Sequence, residues 1–115
     1  MKTNNELTGL IQELRKASNR LNSNIFRSVA AELEKPTRRM HVVNLSKLSR
    51  YTKENETIIV PGKVLGAGSL SQKLTVAAFA FSQSAKEEIN KKGKAVPITE
   101  LLKESPKGKR IRILK

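Results

Sequence analysis

Leu74-Thr75-Val76-Ala77-Ala78-Phe79-Ala80-Phe81 is the stretch that decides the fold. All of it but Thr75 is apolar. A run this short and this apolar leaves no polar side for water, so it reads as a strand buried on both faces. The next signals lie on either side of it. Upstream, Thr57-Ile58-Ile59-Val60 is β-branched and reads as another strand, ended by a Pro61-Gly62 turn. Downstream, Ser84 and Glu87 have capping-box spacing, and Gly93 closes the helix they start. Residues 95–98 form a further short strand, and Thr99 caps a short helix through Lys103. Ile111 and Ile113 alternate with Arg110 and Arg112, the period of a half-buried final strand.

The same grammar extends toward the N-terminus. Val42 and Val43 read as a strand, Asn44 as a cap, and Leu45 and Leu48 as a short helix running out near Tyr51. A unit of short apolar strand, Ser/Thr/Asn cap and short helix thus recurs three times at irregular spacing. It predicts small β and α pieces wound together, not a flat sheet. Before Pro36 the pattern is helical only. Thr3 and Glu6 have capping-box spacing, and Leu7, Leu10, Ile11, Leu14, Ala17 and Leu21 form one stripe, with Arg15, Lys16, Asn19 and Arg20 away from it. Asn22, Ser23 and Asn24 break this helix, and Phe26, Val29, Ala30 and Leu33 face inward from a second one that Pro36 ends. The expected organisation is a basic helical hairpin over residues 1–36 and an α/β domain over residues 37–115.

Charge is the second strong signal. The chain has 115 residues with 23 Lys+Arg against 10 Asp+Glu, a formal net charge of +13, and every acid is a glutamate. So basic a small domain repels itself unless a polyanion neutralises it, and nucleic acid or an anionic membrane would do so. With 37% hydrophobic and 3% aromatic residues, the core is expected to be thin and aliphatic. There is no cysteine, so disulfides and thiolate metal sites are excluded, and the single histidine, His41, cannot build a metal site alone. The start MKTNNELTGL has no signal-peptide core, and no apolar run approaches membrane-spanning length, so an intracellular, soluble protein is expected. A basic amphipathic helix over residues 4–21 could lie on a membrane, but its leucine stripe is more simply a packing face.

Pro61-Gly62-Lys63-Val64-Leu65-Gly66-Ala67-Gly68 is the one segment that looks like a functional loop. It is not a P-loop, which needs GxxxxGK followed by Ser or Thr, and it lacks the third glycine of a dinucleotide fingerprint. Two readings remain. In the favoured one the glycines supply positive φ in two tight turns flanking Val64 and Leu65. In the other, exposed glycine amides and Lys63 approach an RNA backbone.

Catalytic constellations are missing: with no aspartate and one histidine, neither a Ser-His-Asp triad nor a paired-aspartate site can be assembled. Glu32, Glu34, Glu87 and Glu88 read as solvated helix faces, because perturbed carboxylates need buried pockets. The basic clusters remain: Arg15, Lys16 and Arg20; Lys35, Arg38 and Arg39; Lys47, Arg50 and Lys53; Lys91, Lys92 and Lys94; and the tail from Lys103 to Lys115. Together they fit phosphate contacts, and the shortage of aromatics argues for recognition of folded RNA by shape and backbone, not by base stacking.

Four blocks carry a family resemblance: Val43-Asn44-Leu45-Ser46-Lys47, residues 57–68 (TIIVPGKVLGAG), Val76-Ala77-Ala78-Phe79-Ala80-Phe81-Ser82, and Pro106-Lys107-Gly108. In this order, from about residue 24 onward, they resemble the archaeal ribosomal protein 18e family, which shares a wider family with bacterial large-subunit ribosomal protein 15. The resemblance implies an α/β fold of irregular β-β-α superhelical turns behind the N-terminal helical hairpin. It implies structural binding of large-subunit ribosomal RNA, with neighbouring large-subunit ribosomal proteins as partners, no cofactor, no small-molecule substrate, no membrane and no catalysis. The expected place is the cytoplasm, in the large ribosomal subunit. It also makes Lys63 and the glycines around it RNA contacts. The chain departs from the family pattern at Lys92-Gly93-Lys94, where Ala-Gly-Gly is frequent. It departs again at Ser105-Pro106-Lys107-Gly108-Lys109-Arg110, where Asn-Pro-Lys-Gly and a small residue are usual.

The expected RNA-binding residues are Arg15, Lys16, Arg20, Arg27, Arg38, Arg39, Asn44, Lys47, Arg50, Gly62, Lys63, Gly66, Gly68, Lys107, Lys109, Arg110 and Arg112. The competing reading is a free-standing regulatory RNA- or DNA-binding protein.

Overall fold

The computed structural model describes residues 5–21, 24–35, 41–103 and 111–115. The elements run α1 (Asn5–Leu21), α2 (Asn24–Leu33), β1 (His41–Asn44), α3 (Leu45–Tyr51), β2 (Thr57–Leu65), β3 (Thr75–Phe81), α4 (Gln83–Asn90), β4 (Lys94–Pro97), α5 (Ile98–Lys103) and β5 (Ile111–Ile113). The five strands form one sheet in the order β1-β2-β3-β4, with β5 also paired to β2, and every pairing is parallel. Parallel strands need crossovers, and helices supply most of them, which puts apolar groups against both faces.

The residue alternation of the strands divides the core in two. Ile58, Val60, Val64, Val76 and Ala78 point to one face, where Leu45 and Leu48 of α3 and Ala85 and Ile89 of α4 meet them. Ile59 and Ala77 point to the other, against Leu10 and Leu14 of α1, Phe26 and Leu33 of α2, and Ile98 and Leu101 of α5. Phe26, Leu14 and Leu33 are fully buried, and each such side chain contributes roughly 1.5–3 kcal/mol. The deciding run of the sequence is therefore buried on both sides, but only through Ala78; Phe79, Ala80 and Phe81 are half-buried as the helix layers thin out.

Four local expectations need correction. Pro61-Gly62 is not a turn: β2 continues through it to Leu65. On one edge β2 pairs with β5 over residues 57–59 and with β1 over residues 62–65, and on the other its pairing with β3 shifts between Val60 and Lys63. Pro61 thus falls where the ladder changes partner, and its missing N–H costs neither ladder a bond. The cap of α4 is Ser82, not Ser84; its Oγ accepts from the Ala85 amide at 3.2 Å, because β3 reaches Phe81 and the helix starts at once. Helix α5 likewise begins at Ile98, so Thr99 lies inside its first turn. Asn44 occupies the N-cap position of α3, but its side chain makes no capping bond. The expected final strand is present as β5, with Ile111 and Ile113 half-buried and Arg112 exposed. The N-terminal cap at Thr3 lies outside the described residues.

Candidate nucleic-acid interface

The glycine segment is built by close packing more than by tight turning. Of Gly62, Gly66 and Gly68, only Gly68 has a positive φ, +93°. A Cβ on Gly62 would stand 2.0 Å from the His41 carbonyl oxygen, and one on Gly66 would stand 2.1 Å from Ser84 Oγ. At Gly68 it would stand 2.7 Å from Ser46 Cβ, and the Ser46 amide donates to Ala67 O at 3.1 Å. The three glycines therefore let β2 and the loop after it lie directly on β1 and on the first turns of α3 and α4. The expected pair of turns supplied by positive-φ glycines is replaced by one such glycine and two steric ones.

This packing sets Lys63 in the open. Lys63 is in register with Val42 on β1 and Ala80 on β3. Its neighbour Val64 belongs to the core beneath α3 and α4, so Lys63 faces the side of the hairpin. There the sheet is bare: Val42 is 54% exposed and Lys63 is exposed. Asn44, at the C-terminal end of β1, has a half-buried side chain with no hydrogen-bond partner among the described residues.

Other expected residues are already engaged. Arg15, on the outer face of α1, forms an ion pair with Glu34, both about half exposed. Arg27 Nη1 lies 3.4 Å from Asn24 Oδ1 at the start of α2. Lys47 Nζ donates to the Lys115 carbonyl at 2.7 Å. Arg50 places its guanidinium 6.0 Å from the Tyr51 ring centroid. Arg112 donates to Tyr51 O, and its Nε lies 3.3 Å from Glu56 Oε2. Lys16, Arg20 and Lys63 are exposed and have no acid partner among the described residues. Arg38, Arg39, Lys107, Lys109 and Arg110 lie outside the described residues.

The sequence reading missed a carboxylate hub. Glu32, its side chain only 10% exposed, accepts from Lys35 Nζ at 2.9 Å and Lys115 Nζ at 2.8 Å, with His41 Nε2 at 3.0 Å. These hydrogen bonds, led by that of Lys115, lower its pKa from 4.5 to about 2. The local signal was only the i, i+3 pairing of Glu32 with Lys35; the other two partners arrive through the fold. Lys91 pairs with Glu88 at 2.7 Å, and this bond raises its pKa.

Most described glutamates with ion pairs are thus spent on holding the fold, and Lys16, Arg20 and Lys63 stay without an acid partner among the described residues. Among the described residues no group of His, Cys, Asp and Glu could hold a metal ion, and no helix is long and apolar enough to cross a membrane.

Known proteins resemble this chain along most of its length. A family model that describes the ribosomal proteins 50S-L15 and 50S-L18e with their 60S counterpart matches residues 6–96. A Large ribosomal subunit protein eL18 from Methanoregula boonei is 49% identical over 115 residues, 99% of this chain and 95% of that protein. The eL18 protein of Methanosphaerula palustris is 50% identical over 115 residues, covering 99% of this chain and 95% of its own length. That of Haloarcula marismortui is 40% identical over 114 residues, covering 99% and 98%. A family match across most of the chain, with 40% and 50% identity to relatives along nearly their whole lengths, is decisive: the chain belongs to the ribosomal protein L15 and L18e family.

Proposed function

We propose that this chain is a structural constituent of the archaeal large ribosomal subunit. It binds folded large-subunit ribosomal RNA through phosphate contacts and works in the cytoplasm within that subunit, beside other large-subunit proteins. The observation that carries the reading is the near full-length identity to archaeal large-subunit proteins of the eL18 type. The uncompensated cations supply the physics: phosphates draw Lys and Arg and release condensed counterions. Catalysis and a small-molecule substrate form no part of the proposal.

Lys16, Arg20, Lys63 and Asn44 are the described residues best placed to meet RNA, since none of their side chains is held by an acid among the described residues. Arg15, Arg27, Lys47, Arg50 and Arg112 would reach RNA through the protons left over from their internal contacts. Gly62, Gly66 and Gly68 act at one remove, by seating Lys63 and its loop. The proposal keeps the division into a basic hairpin over residues 1–36 and an α/β domain over residues 37–115, wound as irregular β-β-α superhelical turns.

Co-sedimentation tests it. Purified chain mixed with archaeal large subunits depleted of their own copy should pellet with them at moderate salt. A chain that remains in the supernatant there, yet binds isolated RNA or DNA, would be the free-standing regulator instead.

A further inference from the structure

Two segments far apart in sequence meet at the N-terminal rim of the sheet. Strand β3 is entered through Lys73-Leu74-Thr75 and β4 through Lys92-Gly93-Lys94. Parallel pairing sets Thr75 beside Thr57 on one side and Lys94 on the other. Gly93 permits the approach, because a Cβ there would stand 1.8 Å from the Leu74 carbonyl oxygen. The Gly93 amide donates to Ile89 O at 2.9 Å and the Lys94 amide to Leu74 O at 3.0 Å, so the backbone of the second segment is fixed against the first. Between them lies a cleft of about 260 Å³, lined by the two threonines and the three lysines, with buried Leu101 of α5 in its wall.

Its chemistry is one-sided. Among the described residues no carboxylate lines the cleft. Lys73 and Lys94 have no ion pair among the described residues, and Lys92 Nζ donates only to Ser71 O, at 3.0 Å, leaving further protons to give. Thr57 and Thr75 are half-buried, and their hydroxyls have no hydrogen-bond partner among the described residues. A larger cleft on the same rim, about 1010 Å³, shares Thr57 and Thr75 with it and holds Lys53 and Arg112 but also Glu54 and Glu56, and Glu56 already binds Arg112. Lysines and threonine hydroxyls that line one cleft, with no carboxylate among its described lining residues, suit a tetrahedral oxyanion.

We propose that the Thr57, Thr75, Lys73, Lys92 and Lys94 cleft is a phosphate-binding site that seats one backbone phosphodiester of RNA. This deepens the ribosomal reading and rests on it. Lys73 and Lys94 carry the charge, and the threonine hydroxyls orient the phosphate oxygens.

The test uses the full chain, isotope-labelled, with Lys73→Gln/Lys94→Gln as the variant. Both side chains are exposed, so the variant should keep its melting temperature. The probes are inorganic phosphate and a mixed-sequence RNA duplex without terminal phosphates. The duplex should shift the amide signals of Thr75 and Lys94. The variant should bind it roughly tenfold more weakly, the factor that one lost charge-assisted hydrogen bond brings, with a salt slope shallower by about 0.7–0.9. Unchanged variant affinity and slope, with wild-type binding intact, would overturn this inference alone. Inorganic phosphate that fills the cleft and is not displaced by the duplex would overturn the assignment to RNA. A wild-type chain that binds no RNA would overturn the proposed function as well.

Discussion

Lys115 Nζ lies 2.8 Å from Glu32 Oε1, clamping the end of the β5 segment to helix α2 across 83 positions of sequence. Glu32 holds Lys35 and His41 at the same time, which lowers its pKa to about 2 from 4.5. The unfolded chain therefore takes up a proton at Glu32 before the folded one does, so stability rises with pH across this range. The contribution is fully present above about pH 4.5 and is lost as the pH falls toward about 2. Glu32→Gln should remove it. The variant should be less stable at neutral pH by about 1–3 kcal/mol, since three donors lose their charged acceptor, and the gap should close toward pH 2. Urea denaturation followed by circular dichroism at several pH values checks this, and a gap that stays constant with pH would refute it.

The glycines of this chain should respond to alanine with opposite signs. Gly9, inside α1, has nothing within 4 Å of an added Cβ. Gly9→Ala should stabilise the chain by about 0.5–1 kcal/mol through helix propensity. Gly62→Ala places a methyl group 2.0 Å from a backbone oxygen of β1, which cannot rotate away. It should cost roughly 3 kcal/mol or more, with β1 pushed off β2. Melting temperatures of the two variants decide the matter, and a tolerated Gly62→Ala would mean that β1 is loosely held.

Arg112 has a structural task besides any contact with RNA. Its exposed side chain reaches Glu56 before β2 and the carbonyl of Tyr51 at the end of α3. Arg112→Ala should lower stability by about 0.5–1 kcal/mol. A double-mutant cycle with Glu56→Ala should give a coupling of a few tenths of a kcal/mol, the range of solvent-exposed pairs. Ile111→Ala, which empties only a half-buried site, should cost less than the roughly 2–5 kcal/mol of a fully buried aliphatic. Protected amides at Ile113 and Leu114 in hydrogen exchange would confirm that β5 stands without RNA; the Leu114 amide donates to Ile59 O at 3.0 Å.

These relationships show what sequence can and cannot carry. The Thr75–Phe81 strand and the alternation of Ile111, Arg112 and Ile113 were legible because period and apolarity are local properties. The hairpin was legible because the leucine stripe of α1 has helical spacing. Pro61-Gly62 misled because a proline reads as a stop, whereas here it sits at the junction where β2 exchanges β5 for β1. Ser84 misled because it has a glutamate three residues on, but Ser82 meets the end of β3 first. The Glu32 hub showed locally only the i, i+3 pairing with Lys35, and the lysine cleft only the basic residues Lys92 and Lys94. Tertiary packing brings Lys115 to Glu32, and strand register brings Lys94 beside Thr75.

Among the cations, freedom from acids should predict the effect on RNA binding better than position along the chain. Lys16 and Arg20 project from α1 and Lys63 from β2 without an acid partner among the described residues, whereas Arg15 of the same helix is paired with Glu34. A paired arginine brings its own counter-charge to the interface, so it releases fewer counterions when a phosphate arrives. Each phosphate neutralised contributes about 0.7–0.9 to the slope of log K against log salt. Lys16→Gln, Arg20→Gln and Lys63→Gln together should therefore flatten that slope by roughly 2–3 while leaving the melting temperature nearly unchanged. Arg15→Gln should change it much less. The informative variant is Glu34→Gln, which keeps every cation and frees Arg15. It should strengthen binding to an RNA duplex and steepen the slope. If Glu34→Gln weakens binding instead, the Arg15–Glu34 pair is itself the contact surface, presented as a unit, and the distinction between paired and free cations fails.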